Sequence, residues 1–158
     1  MFGKYLSILV IFLLPQFANA NTDVATCTDL SGHAFYHGAG LVQQKDQGWK
    51  KDQITGGRTT IKKLKDGKYD ILILDAMKSL YSVRQDGGEV ILLRKGESDA
   101  TFLYLYPGKV IEIYTLWRDR NGVNRFDLLS SKGGDGMPIH KSSVMSGLCS
   151  SINFAAID

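Results

Sequence analysis

Apolar residues along this chain come in short runs with a period of two, broken at close spacing by Gly, Asp and Asn. The densest run is Thr101–Trp117 (TFLYLYPGKVIEIYTLW). Its β-branched and aromatic content suits a pleated, half-buried surface, and it reads as a hairpin of Thr101–Tyr106 and Lys109–Trp117 joined at Pro107-Gly108. A two-residue Pro-Gly turn would splay right-twisted strands, so a connection of about three to five residues is expected. Alternation puts Phe102, Tyr104 and Tyr106 on one face of the first strand. In the second, Val110, Tyr114 and Leu116 lie opposite Ile111, Ile113 and Trp117. Both faces are apolar. One is core, and the other is a pocket, a partner surface or more core.

The rest of the chain reads the same way. Asn21–Leu30 is polar and expected to be loose up to Cys27, and Gly32–His37 is a strand. Residues 38–51 lack a sustained period and suggest an excursion loop or lid with a turn of helix, anchored by Trp49. Strands are expected at Arg58–Leu64 and Tyr69–Asp75, with a bulge or tight corner at Ala76–Lys78. Leu80–Gln85 and Glu89–Leu93 flank Asp86-Gly87-Gly88, a hairpin signal, and Asn121-Gly122 is another, returning through Val123–Ser130. Residues 131–138 form a glycine-rich loop. The tail Ile139–Phe154 reads as a strand pair or a short helix with Val144, Leu148 and Cys149 inward. About eight to ten short strands with almost no helical period argue an all-β antiparallel meander. It would be closed as a lipocalin-like barrel or folded as a sandwich.

The first 20 residues change where this fold is expected to work. Lys4, the apolar run Leu6–Leu14 and Ala18-Asn19-Ala20 make the pattern of a secretory signal peptide cleaved after Ala20. The apolar run is shorter than the roughly 20 residues that span a bilayer. Val24-Ala25-Thr26-Cys27 is a poor acylation box, because Thr26 is unsuited and Cys27 lies well beyond the apolar run. Residues 21–158 are then one soluble domain, periplasmic or secreted, with no membrane span after cleavage. In an oxidising compartment the only two cysteines, Cys27 and Cys149, read first as a disulfide, which would remove both as nucleophiles.

Candidate chemistry is sparse. His33 and His37 share a strand face but lie about 13 Å apart, too far for one ion, so no metal is expected. No Gly-X-Ser-X-Gly elbow is present. Asp70, Asp75, Glu112 and Asp127 are the carboxylates that neighbouring strands would have to pair for hydrolytic work. Glu112 stands out because it interrupts the apolar face of Val110, Tyr114 and Leu116; if buried it needs a partner, for which Arg125 and Arg84 are candidates. Residues 45–68 carry eight Lys or Arg against three Asp. Lys50, Lys51, Arg58, Lys62, Lys63 and Lys65 would serve an anionic contact there. The stretch lacks the aromatic interleaving of nucleic-acid binders.

Two resemblances bear on this. Ser31-Gly32-His33-Ala34-Phe35-Tyr36 is similar to the Ser-Gly-X-X-Tyr loop of bacterial periplasmic lysozyme inhibitors, although Phe35 takes the aromatic position and Tyr36 comes one late. More broadly, the chain resembles small exported proteins of rhizobia-like bacteria that have no assigned activity. That resemblance rests on Cys27–Gly32, Asp52–Gly57, Arg84–Gly88, Glu112–Thr115 with Trp117–Asp119, and Ser131–Gly134. It implies export and the terminal cysteine pair, and it transfers no catalytic residue.

The expectation is therefore a binding protein rather than an enzyme, with no cofactor. A small apolar ligand or lipid would sit inside the barrel against Phe102, Tyr104, Glu112, Tyr114 and Trp117. The other reading is a protein-binding module, such as an inhibitor of a cell-wall hydrolase or an immunity protein, acting through loops 38–52 and 131–138.

Overall fold

The first and last strands run side by side. In the computed structural model, which describes residues 21–158, β1 (Thr22–Gly40) pairs antiparallel with β10 (Ile139–Ile152) along nearly its whole length. The other edge of β1 is shared. Its first part pairs with β3 (Arg58–Lys63), and its second part with β2 (Gly48–Gln53). The switch falls at Asp29, whose φ of 58° marks the bulge where β1 bends. From β3 the sheet continues through β4 (Tyr69–Leu74) to the three-residue β5 (Leu80–Ser82). From β10 it runs through β9 (Asn124–Lys132), β8 (Val110–Arg118) and β7 (Asp99–Tyr106) to β6 (Glu89–Lys95). The all-β antiparallel meander is what the pattern predicts. The expected signal peptide, residues 1–20, lies outside the described residues.

The expected hairpins at Pro107-Gly108 and Asn121-Gly122 form. The first has a three-residue connection, Pro107–Lys109, closed by the Lys109 amide donating to the Tyr106 carbonyl at 3.0 Å. In the second, Asp119 accepts from the amides of Asn121 and Val123, both at 2.9 Å.

The hairpin expected at Asp86-Gly87-Gly88 does not form, and with it the closed barrel is lost. β5 pairs only with β4, and β6 only with β7, so the ladder has free ends there. The cause is local. The buried Asp70 accepts from Ser82 Oγ at 2.6 Å and from the Arg84 amide at 3.2 Å. Ser82 Oγ accepts in turn from the Gln85 amide, and the Gly88 amide returns to the Val83 carbonyl. These bonds wind residues 82–88 into a tight turn where a strand would have to run. The open sheet still curls over a single core: Tyr69 of β4 meets Phe102 of β7 edge-on at 5.0 Å, although the two strands are far apart in the sheet order.

Three further expectations are corrected. Residues 22–30 are strand, not loose chain, because Val24, Ala25 and Cys27 are buried between β3 and β10. Residues 38–51 are no lid: after a single 3-10 turn at Gln44–Asp46 the chain returns as β2, and Trp49 packs edge-on against Phe35 while remaining 67% exposed. The tail is one long strand, in which Cys149 points inward and Val144 and Leu148 outward, since the parity of the strand separates them. The hexapeptide 31–36 lies within β1, in keeping with the strand expected at Gly32–His37.

The disulfide Cys27–Cys149 is formed, between residues directly opposite one another on β1 and β10. Among the described residues no helix is long and apolar enough to cross a membrane.

Candidate functional site: an interior cavity walled by Glu112

Inward-facing positions of β7 to β10 and β1 line up in rows across the sheet, and the rows change character from one end of the fold to the other. Ala100, Leu116, Phe126 and Gly147 form an apolar end. Next come Phe102, Tyr114, Leu128 and Met145, then Tyr104, Glu112, Ser130, Ser143 and Ala34. The following row holds Tyr106, Val110, Lys132 and Lys141. Small side chains at Ser130, Ser143 and Ala34 leave the third row underfilled. A cavity of about 180 Å³ opens against it.

Glu112 is 2% exposed in the wall of this cavity. Its Oε2 accepts from Tyr114 Oη at 2.6 Å, and its Oε1 from Ser130 Oγ at 3.0 Å and Lys132 Nζ at 2.9 Å. A buried carboxylate needs such donors, and here a cation and two hydroxyls supply them. Lys141 lines the cavity as well, and pairs with Asp52 at 2.5 Å. The facing wall is apolar, made by Leu30, Ile54, Ile73 and Leu74, with Thr59 between them.

The tyrosines feel this enclosure. Burial and then the Glu112 charge push the Tyr81 hydroxyl up to about 12, and the same causes raise Tyr104. Tyr114 lies well above the ordinary range, from its burial first and from Glu112 second. All three stay protonated donors at neutral pH.

Of the five residues expected to hold a ligand, Glu112 and Tyr114 line the cavity. Phe102 is fully buried core. Tyr104 lines a separate cleft with Tyr81, Tyr106, Lys109 and Lys132. Trp117 is five residues from Glu112, an odd step along β8, so it lies on the outer face beside the Arg125 guanidinium. Neither expected partner reaches Glu112: Arg125 pairs with Asp119 at 3.0 Å, also on the outer face, and Arg84 follows the Ser82 turn. Asp70 serves that turn and Asp75 accepts from the Ser79 amide, so neither pairs with Glu112 for hydrolysis. His33 and His37 are exposed on β1, and no cluster of three metal-ligating side chains occurs among the described residues.

The basic stretch is neutralised in part. Lys50 approaches Asp46 at 3.7 Å, Lys62 meets Asp23 at 2.9 Å and Lys63 meets Asp158 at 2.5 Å. Lys51, Arg58 and Lys65 are exposed, with no ion pair among the described residues.

Sequence reading missed Ser130, Lys132, Ser143, Thr59 and Tyr81. A signal existed for two of them: Phe126, Leu128, Ser130 and Lys132 alternate on one face of β9. Nothing local marks the others, which reach the cavity through pairing of distant segments.

Comparison with protein-family models, with curated proteins and with solved structures returns no match.

Proposed function

We propose that this is an exported binding protein that holds one small, largely apolar molecule in its interior cavity. The observation that carries the reading is the about 180 Å³ cavity, apolar on one wall and lined on the other by the buried Glu112 cluster. A half-open cavity of this size, with an apolar lining and a few convergent polar groups, suits one small ligand. An engineered apolar cavity of about 150 Å³ holds a benzene ring, which sets the scale of the ligand at one ring. A lipid tail exceeds it. Catalysis is not proposed: Ser130, Lys132 and Tyr114 are committed to satisfying the buried Glu112 carboxylate.

The test is native mass spectrometry of the protein recovered from its own export compartment. An extra mass that is lost on denaturation, and lost in Ser143→Leu, supports the reading. A bare mass together with failure of all small aromatic probes to bind overturns it.

A second reading, a protein-binding module, is favoured by the outer face of the same sheet. Ile111, Leu129, Val144 and Trp49 are exposed there around one shallow apolar groove. Exposed apolar patches of this kind mark partner surfaces. This moves the expected contact from loops 38–52 and 131–138 to the sheet face. Ile111→Lys with Leu129→Lys would abolish partner recovery while leaving the cavity ligand bound.

A further inference from the structure

We infer that the cavity selects a single-ring compound bearing a hydrogen-bond acceptor, such as a ketone or aldehyde carbonyl, over one that is purely apolar or offers donors alone. The inference rests on the cavity reading above and specifies its ligand.

Charge comes first. The cavity is lined by Arg58, Lys132 and Lys141 on one side of the balance and by Glu112 and Asp75 on the other. Asp52 completes it by pairing with Lys141. Glu112 and Lys132 neutralise each other at 2.9 Å. The formal charges balance, but Arg58 has no ion pair among the described residues, so an acceptor on a ligand meets a cation there as well as hydroxyls.

Donors and acceptors come second. Both oxygens of Glu112 are occupied, Oε2 by Tyr114 and Oε1 by Ser130 and Lys132. Glu112 is therefore closed to a ligand amine, and Asp75, one oxygen of which accepts from the Ser79 amide, is the other carboxylate in the lining. Donors, by contrast, are in surplus. Ser143 is 5% exposed and Thr59 6% exposed, both line the cavity, and neither hydroxyl has a partner among the described residues. Lys132 uses one of its three protons on Glu112, and Tyr81 at the rim holds its phenolic proton. The Ser143 and Thr59 hydroxyls are both open to the cavity, where a carbonyl on the ligand takes the place of water. The apolar wall of Leu30, Ile54, Ile73 and Leu74 takes the ring.

Calorimetric titration of the disulfide-bonded protein with four probes of similar size tests this: toluene, acetophenone, benzoate and benzylammonium. Acetophenone should bind about fivefold or more tighter than toluene, in keeping with one or two net hydrogen bonds. Benzylammonium, which offers donors and no acceptor, should bind more weakly than acetophenone, and benzoate, an acceptor, more tightly than toluene. Ser143→Ala should bring acetophenone toward the affinity of toluene, and the near-isosteric Thr59→Val serves as the second such variant. Equal binding of toluene and acetophenone, or preference for benzylammonium over both, overturns the ligand class and leaves the cavity reading standing. Failure of all four probes overturns both.

Discussion

Tyr114 donates its hydroxyl to Oε2 of Glu112 at 2.6 Å, from a position two residues along the same strand. The pair shares a face because β-strands repeat every two residues, and the sheet closes over both. A tyrosine is thus committed to satisfying a carboxylate inside the fold, and the hydroxyl of Ser130 and the ammonium of Lys132 complete the set.

The two halves of the ion pair should not be equally expendable. Lys132→Ala strips the cation from a carboxylate that is 2% exposed, whereas Glu112→Gln leaves a lysine 33% exposed and free to turn to water. The first is expected to cost roughly 3 kcal/mol and the second about 1 kcal/mol, from the penalties of an unpaired buried charge and a weakened hydrogen bond. Urea midpoints of the two variants measure the difference. Equal losses would mean that Glu112 reaches water.

Alkaline pH should unfold the protein in a defined window. Tyr81, Tyr104 and Tyr114 have folded values raised above the ordinary 10, so the folded state holds protons that the unfolded chain gives up. Their contribution is complete below pH 10 and falls as pH rises toward 12 and beyond. Ultraviolet titration of phenolate should show a steep, cooperative rise coincident with loss of the sheet signal. A smooth titration centred on the ordinary value, with the sheet intact, would mean that these hydroxyls are open to solvent.

Removing the disulfide should be costly. Cys27 and Cys149 close a loop with a sequence separation of 122 residues. The chain-entropy model puts the loss in the double Cys→Ser variant at roughly 4–5 kcal/mol. Chemical denaturation with and without reductant reads it directly. Reduction should also weaken ligand binding, since Cys27 lines the cavity.

Tryptophan fluorescence distinguishes a lid from an outer-face residue. Trp49 is 67% exposed, and Trp117 is the only other tryptophan in the chain. Iodide should quench the wild-type emission in part, and Trp49→Phe should remove most of that quenching without altering ligand affinity. Loss of affinity in this variant would return residues 38–51 to the role of a lid.

Gly147 is a packing requirement. A Cβ there would stand 2.4 Å from Phe126 Cε1 and 2.5 Å from the Thr28 carbonyl oxygen. Gly147→Ala should therefore destabilise by roughly 1–3 kcal/mol through overpacking, as a lower urea midpoint.

What the chain determined by itself was local. A period of two written into Thr101–Trp117 suffices to place Glu112 with Tyr114 and to build the β7–β8 hairpin, because alternation and turn chemistry act over a few residues. The single cysteine pair and the absence of helical period suffice for the disulfide and the all-β class in the same way. Tertiary structure decided the rest. Whether the sheet closed depended on Asp70, whose carboxylate captures Ser82 and the Arg84 amide from 12 and 14 residues away and stops β5 from continuing into a hairpin. Which residues share a wall with Glu112 depended on strand register: Ser130 lies opposite it on β9, Ser143 opposite Ser130 on β10, and Thr59 reaches the cavity from β3. Register is set by the summed burial of whole strands rather than by any short stretch, so a cavity assembled from several strands has no signature in one of them.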